Sequence, residues 1–166
     1  PAEDSGVTLA SARDLVFDGA ESLNAYMQEA SYGRMSLSGS VHGRYTLPGT
    51  VEYYGGARDA TTGLGYGVNA NLMQTDAKAL AQQDGVDFST TDRTIYVFYG
   101  WSNAGYGNVV NLVIGLTNGF KVDVLAHEMG HGLNFLGHAS ALNAPSGSAS
   151  GPVPQDLFSL TSGGFR

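Results

Sequence analysis

The chain contains no cysteine. That absence excludes disulfides, cysteine-ligated zinc and a prosegment latched by a thiol of this chain. Charge is scarce too: Asp, Glu, Lys and Arg make up 14% of the residues, against the usual quarter. Basic residues number 8 and acidic ones 15, for a formal net charge of −7. With no basic cluster, the chain lacks the electrostatic footprint of a nucleic-acid binder. Long apolar runs are missing as well. The longest, residues 109–116, is interrupted by Asn111 and falls far short of the roughly 20 residues that span a bilayer. No serine sits in a G-x-S-x-G elbow and no thiol is available, so covalent nucleophilic catalysis is not indicated.

What is present has the size of one domain. The 166 residues, 42% of them hydrophobic, suffice for a proper core. There are 24 glycines, about twice average usage. They follow no Gly-X-Y period, so they signal tight turns and close backbone approaches. No internal repeat or interdomain linker is visible. The opening Pro1-Ala2-Glu3-Asp4 lacks the charged-then-apolar pattern of a leader. If the protein is secreted, the sequence is expected to start after processing.

Periodicity divides the chain into elements. Residues 14–17 read as a short first strand. Leu23, Tyr26, Met27 and Ala30 have helical spacing, closed by Gly33 as a stop signal. Residues 35–47 alternate apolar and polar up to Pro48-Gly49, which predicts a long strand extended over residues 51–54. Residues 55–67 form a glycine- and threonine-rich loop. A second helix runs over residues 71–83 with Asn69 or Asn71 as its cap. Residues 94–99 are a β-branched and aromatic strand of the buried kind. Residues 101–107 read as open loop, and residues 109–116 as the last strand before a third helix. Trp101 reads as packing, and His42 as structural or surface. After His138 the chain is rich in Ala, Ser, Gly and Pro, with only a short segment at Leu157-Phe158-Ser159-Leu160.

Residues 127 to 138 read His-Glu-Met-Gly-His-Gly-Leu-Asn-Phe-Leu-Gly-His and hold three of the four histidines. On a helix, His127 and His131 project from one face about a turn apart. Two imidazoles so placed can share one Zn²⁺. Glu128, one step round, can reach a water at that ion as general base, the chemistry of the H-E-x-x-H signature. The motif fixes only three positions, so its context matters. Val122, Leu125, Met129 and Leu133 form the apolar stripe that would face a core, with the histidines and Glu128 expected off it.

A catalytic zinc usually takes three protein ligands and leaves a place for water. His138 is the obvious third. A helix continuing from His131 would carry it about 10 Å along the axis, so the chain must reverse between them. Gly132, Asn134 and Gly137 tolerate the left-handed conformation that ends helices. The expected geometry is a helix broken near Asn134, with His138 swung back to the ion.

These residues resemble the metzincin clan of zinc peptidases, whose pattern is H-E-x-x-H-x-x-G-x-x-H. Val-Leu-Ala-His-Glu-Met-Gly-His followed by Leu-Gly-His-Ala-Ser is most similar to the gametolysin-type and immune-inhibitor-type secreted metallopeptidases. Residues 26–39, Tyr-Met-Gln-Glu-Ala-Ser-Tyr-Gly-Arg-Met-Ser-Leu-Ser-Gly, resemble the helix-then-strand segment near the start of those catalytic domains. The resemblance covers residues 13–140 or so. The chain departs from the clan pattern in three places. Asn134 stands at the glycine position, His138 arrives one residue late, and no methionine follows Met129. Asp156-Leu157-Phe158-Ser159 is the candidate for the clan's methionine turn, with Phe158 in the methionine place. Similarity to secreted bacterial enzymes with an Asp-Leu-Phe segment after the helix makes Asp156 a rival third ligand.

The resemblance implies an α+β, metzincin-like single catalytic domain over residues 1–166, with residues 1–12 as an N-terminal extension and residues 139–166 as an irregular C-terminal segment. A twisted, mainly parallel sheet with an antiparallel edge strand would pack on two or three helices, including the zinc helix. Residues 109–116 would be that edge, where an extended peptide adds as a further strand; the competing reading is a plain core strand. The implied activity is a secreted, extracellular and monomeric zinc endopeptidase acting on protein or peptide, with His127, His131 and His138 as ligands and Glu128 as general base. No tyrosine follows Tyr106 to assist the oxyanion, as one does in some clan members. Structural Ca²⁺ on Asp84, Asp87 and Asp92 is a further candidate, although these lack EF-hand spacing. The alternative function is a catalytically impaired, zinc-containing binding or adhesion module.

Overall fold

The computed structural model describes residues 6–103, 105–107 and 110–133. Helix α1 (Leu9–Arg13) starts at a capping box, in which Thr8 accepts from the Ser11 amide and the Ser11 side chain returns the bond to the Thr8 amide. It runs into a π-helical turn, Asp14–Asp18, where the sequence predicts a strand. The apolar run Leu15-Val16-Phe17 suits either state, and the helix nucleated just before it decides the outcome. Helix α2 (Leu23–Ala30) is capped by Ser22. At its end the Tyr32 amide bonds to the Glu29 carbonyl and the Gly33 amide to that of Gln28, the paired bonds of a Schellman turn. Tyr32 takes the left-handed position, φ 54°, and Gly33 closes the helix as expected.

Residues 35–47 form neither helix nor ladder among the described residues, with alternate side chains partly covered from Val41 to Leu47. Alternation specifies an extended chain with one covered side; it does not supply a partner edge. Residues 51–55 form turns rather than a continuation. The expected loop that follows contains a small antiparallel hairpin of β1 (Ala57–Arg58) and β2 (Gly65–Tyr66). The Asp59 carboxylate organises its turn by accepting from the amides of Thr61 and Thr62. Helix α3 (Ala70–Gln83) is capped by Asn69, which accepts from the Leu72 amide.

The second sheet holds β3 (Thr94–Phe98), β4 (Gly105–Gly107) and β5 (Asn111–Gly115), in the order β3-β5-β4. β3 and β5 are parallel, and β4 runs antiparallel to β5. A short helix α4 (Leu116–Gly119) leads to α5 (Val122–Gly132). The domain is α+β, and its sheet has an antiparallel edge. That edge is β4, drawn from the expected open loop, and not the strand expected at residues 109–116. β5 is central because both its sides are paired. No helix of the described residues is long and apolar enough to cross a membrane.

Strand alternation splits the core into two layers. Leu112 and Ile114 of β5 face Leu23 and Met27 of α2 and Leu125, Ala126 and Met129 of α5. Val113 faces the other way, with Phe98, Trp101, Tyr54 and Met73 of α3. Leu23, Leu112, Ile114 and Leu125 have no exposed surface, and each contributes about 1.5–3 kcal/mol by burial. α5 therefore lies flat on one sheet face, locked by three of its residues.

Candidate metal centre

α5 carries the H-E-x-x-H residues, and its helical geometry brings the two imidazoles together. The Nε2 atoms of His127 and His131 are 3.2 Å apart, with the rings edge to face at 87°. Two nitrogens 3.2 Å apart, each at the zinc bonding distance of about 2.0–2.1 Å, subtend about 100° at a shared ion, close to tetrahedral. The same separation also suits one N–H···N hydrogen bond between neutral imidazoles. The Nδ1 atom of His127 is buried, and Nε2 is the ring nitrogen that meets His131. The pair fits a zinc ion as two ligands of the set. No group of three His, Cys, Asp or Glu side chains converges among the described residues. His138 and its rival Asp156 lie outside those residues, as do Asn134, Gly137 and Phe158.

Glu128, which the helical pattern places off the apolar stripe, is buried, at 7% exposed. The cover is β4. A Cβ added at Gly107 would land on the Glu128 carbonyl, and one added at Gly105 would stand 3.3 Å from Glu128 Cγ and 2.9 Å from Ile114 Cδ1. Only glycine lets the edge strand lie this close to the helix. The intervening Tyr106 points to the opposite face, where its hydroxyl accepts a 2.7 Å bond from Gln74 Nε2. The Tyr106 hydroxyl is therefore turned away from Glu128. The sequence places Gly105-Tyr106-Gly107 in loop, because three residues are too few for a periodic signal. The Gly-x-Gly alternation was the available hint.

The other candidate residues fall elsewhere. His42 bonds Ser40 at 2.7 Å on an exposed segment. The Asp84 carboxylate accepts from the Tyr45 hydroxyl, and Asp87 accepts from the amide and hydroxyl of Ser89. These carboxylates serve turns and side-chain partners rather than a common point. Trp101 is 5% exposed, a packing residue. On the α3 face of the sheet, Asn71, Gln74, Thr75, Lys78, Tyr96 and Asn111 line a polar cavity of about 260 Å³. Its amides are engaged with one another: Asn111 Nδ2 donates to Gln74 Oε1 at 3.0 Å, and Gln74 Nε2 also reaches Asn71 Oδ1. This network is a polar joint between α3 and the sheet. Comparison of the chain with protein-family models, curated proteins and solved structures gives no match.

Proposed function

We propose that the chain is a zinc-dependent endopeptidase of the metzincin-like kind, with His127 and His131 as two metal ligands, His138 as the third and Glu128 as general base. The observation that carries the reading is the 3.2 Å convergence of the two Nε2 atoms beside a glutamate that β4 covers. A zinc held there supplies Lewis acidity toward water and a scissile carbonyl. The Glu128 carboxylate takes the proton of the attacking water and returns it to the leaving amine nitrogen. Its burial limits the rotamers open to it, so the carboxylate is held in place before the substrate arrives. The sequence resemblance extends the proposal to a twisted sheet, an extracellular setting, and a protein or peptide substrate.

The test is Glu128→Gln, an isosteric change that removes the proton acceptor. Removal of a general base costs about 10²–10⁴-fold in rate. We expect cleavage of an unfolded protein to fall by that factor while about one zinc per chain is retained. Unchanged cleavage in the variant would refute the mechanism. Zinc binding without cleavage in the native chain would replace the enzyme by a zinc-containing binding module.

A further inference from the structure

Arg93 lies 39 residues before the end of α5 in sequence yet touches it: its Nη2 donates to the main-chain oxygen of Gly132 at 2.6 Å. This is a charge-assisted bond to the last residue of the helix, placed where helix carbonyls have no intrahelical partner and where the dipole favours a cation. Its position matters because of what the last turn contains. His131 stands between Gly130 and Gly132, and each glycine weakens helical structure by about 1 kcal/mol relative to alanine. The turn that bears the second imidazole is thus the turn least able to hold itself. At the other end of this 11-residue helix Lys121 makes no side-chain capping bond, and the Asp123 carboxylate accepts from the Val124 amide at 2.9 Å, too far along the helix to hold the carbonyls of the Gly-His-Gly turn.

We infer that Arg93 is a positioning residue for the metal centre, clamping the Gly-His-Gly turn so that His131 Nε2 stays in register with His127 Nε2. This rests on the zinc reading above. The guanidinium is anchored just before β3, whose first residue, Thr94, is tied to the Val110 carbonyl. The clamp therefore joins the metal helix to the strand layer. It acts on the backbone beside His131 and has no role in proton transfer.

The experiment is zinc affinity by chelator competition on the native chain, Arg93→Ala and Arg93→Lys, together with the visible spectrum of each Co²⁺-loaded protein. Supporting residues around a metal site commonly contribute about 10–100-fold in affinity. Arg93→Ala should weaken zinc by at least about tenfold and alter the cobalt bands. Arg93→Lys, which keeps one donor, should lie between it and the native chain. Tyr54→Phe, which removes a hydrogen bond to Asp76 distant in sequence from α5, serves as the stability control and should keep native zinc affinity. If Arg93→Ala does not fold, native affinity and an unchanged cobalt spectrum in Arg93→Lys overturn the inference. A folded Arg93→Ala with native affinity also overturns it, and leaves the zinc reading standing. Failure of the native chain to bind zinc overturns both.

Discussion

Gly107 and Glu128 meet backbone to backbone: the place where a side chain at residue 107 would begin is taken by the Glu128 carbonyl. Through this contact the edge strand β4 sits directly on the helix that bears the candidate metal ligands. It accounts for the burial of a glutamate that the helical pattern puts off the apolar stripe. It also ties any movement of the edge strand to the position of that glutamate.

Gly107→Ala should accordingly be among the more damaging single-methyl additions in the chain. The obstructing atom is main chain, so a rotamer change cannot relieve it. Overpacking of this kind costs about 1–3 kcal/mol, and we expect the upper end, measured as a lowered denaturant midpoint. Gly63→Ala is the comparison. Gly63 has φ +70° with nothing within 4 Å, so only the left-handed penalty of about 1–2 kcal/mol applies. Equal or smaller loss at residue 107 would contradict the close packing of β4 on α5.

Removing either imidazole should empty the site. His127→Ala and His131→Ala are each expected to cut bound zinc from about one ion per chain to less than roughly a tenth, since a catalytic site has only three protein ligands. Elemental analysis after dialysis reads the result. Loss of the ion from the native protein by chelation should lower Tm and be reversed by added zinc, because a ligand bound only to the folded state stabilises it. Full zinc occupancy in both alanine variants would place the metal elsewhere.

Stability at alkaline pH should fall partly through Tyr54. Burial, followed by the hydrogen bond to Asp76, raises its phenol from 10.0 to about 12. The folded state thus holds the proton more tightly than the unfolded one. The resulting stabilisation is complete below the unfolded value of 10.0 and is lost as pH rises through about 12. Tyr26, Tyr96 and Tyr106 are raised mainly by burial as well and add in the same direction. Tyr54→Phe should therefore lose less stability than the native chain between those pH values, in chemical denaturation measured across the range. A parallel decline in both proteins would refute the assignment.

The polar joint gives a separate test. Tyr106→Phe removes the 2.7 Å partner of the buried Gln74 amide, which keeps its 3.2 Å bond to the Ala70 carbonyl. Because the donor is not left wholly unsatisfied, we expect a loss of about 1 kcal/mol, seen as a shifted unfolding midpoint. A loss above about 3 kcal/mol would mean that Gln74 depends on the phenol alone.

Local signals were readable wherever the structure depends on neighbours in sequence. The Asn69 cap, the stop at Gly33, and the one-turn spacing of His127 and His131 all come from interactions within four or five residues. The strand expected at residues 14–17 is replaced by helical structure because the three-residue apolar run Leu15-Val16-Phe17 carries no period of its own, and the capping box ahead of it extends helical structure into it. The run at residues 109–116 was legible as a strand, but its rank in the sheet was not. Edge or centre depends on whether another segment pairs with the open side, and that segment was three residues long.

The sequence alone determined the chemistry on offer: two imidazoles and a carboxylate on one helical turn, no thiol, and no serine elbow, because residue identity and helical spacing are local properties. Tertiary structure decided how that chemistry is housed. It buried Glu128 under two glycines of β4, turned Tyr106 toward α3, and brought Arg93 to the end of α5. Each of these joins segments far apart in the chain, and the packing that selects them is shared among many weak contacts that no single stretch of residues encodes.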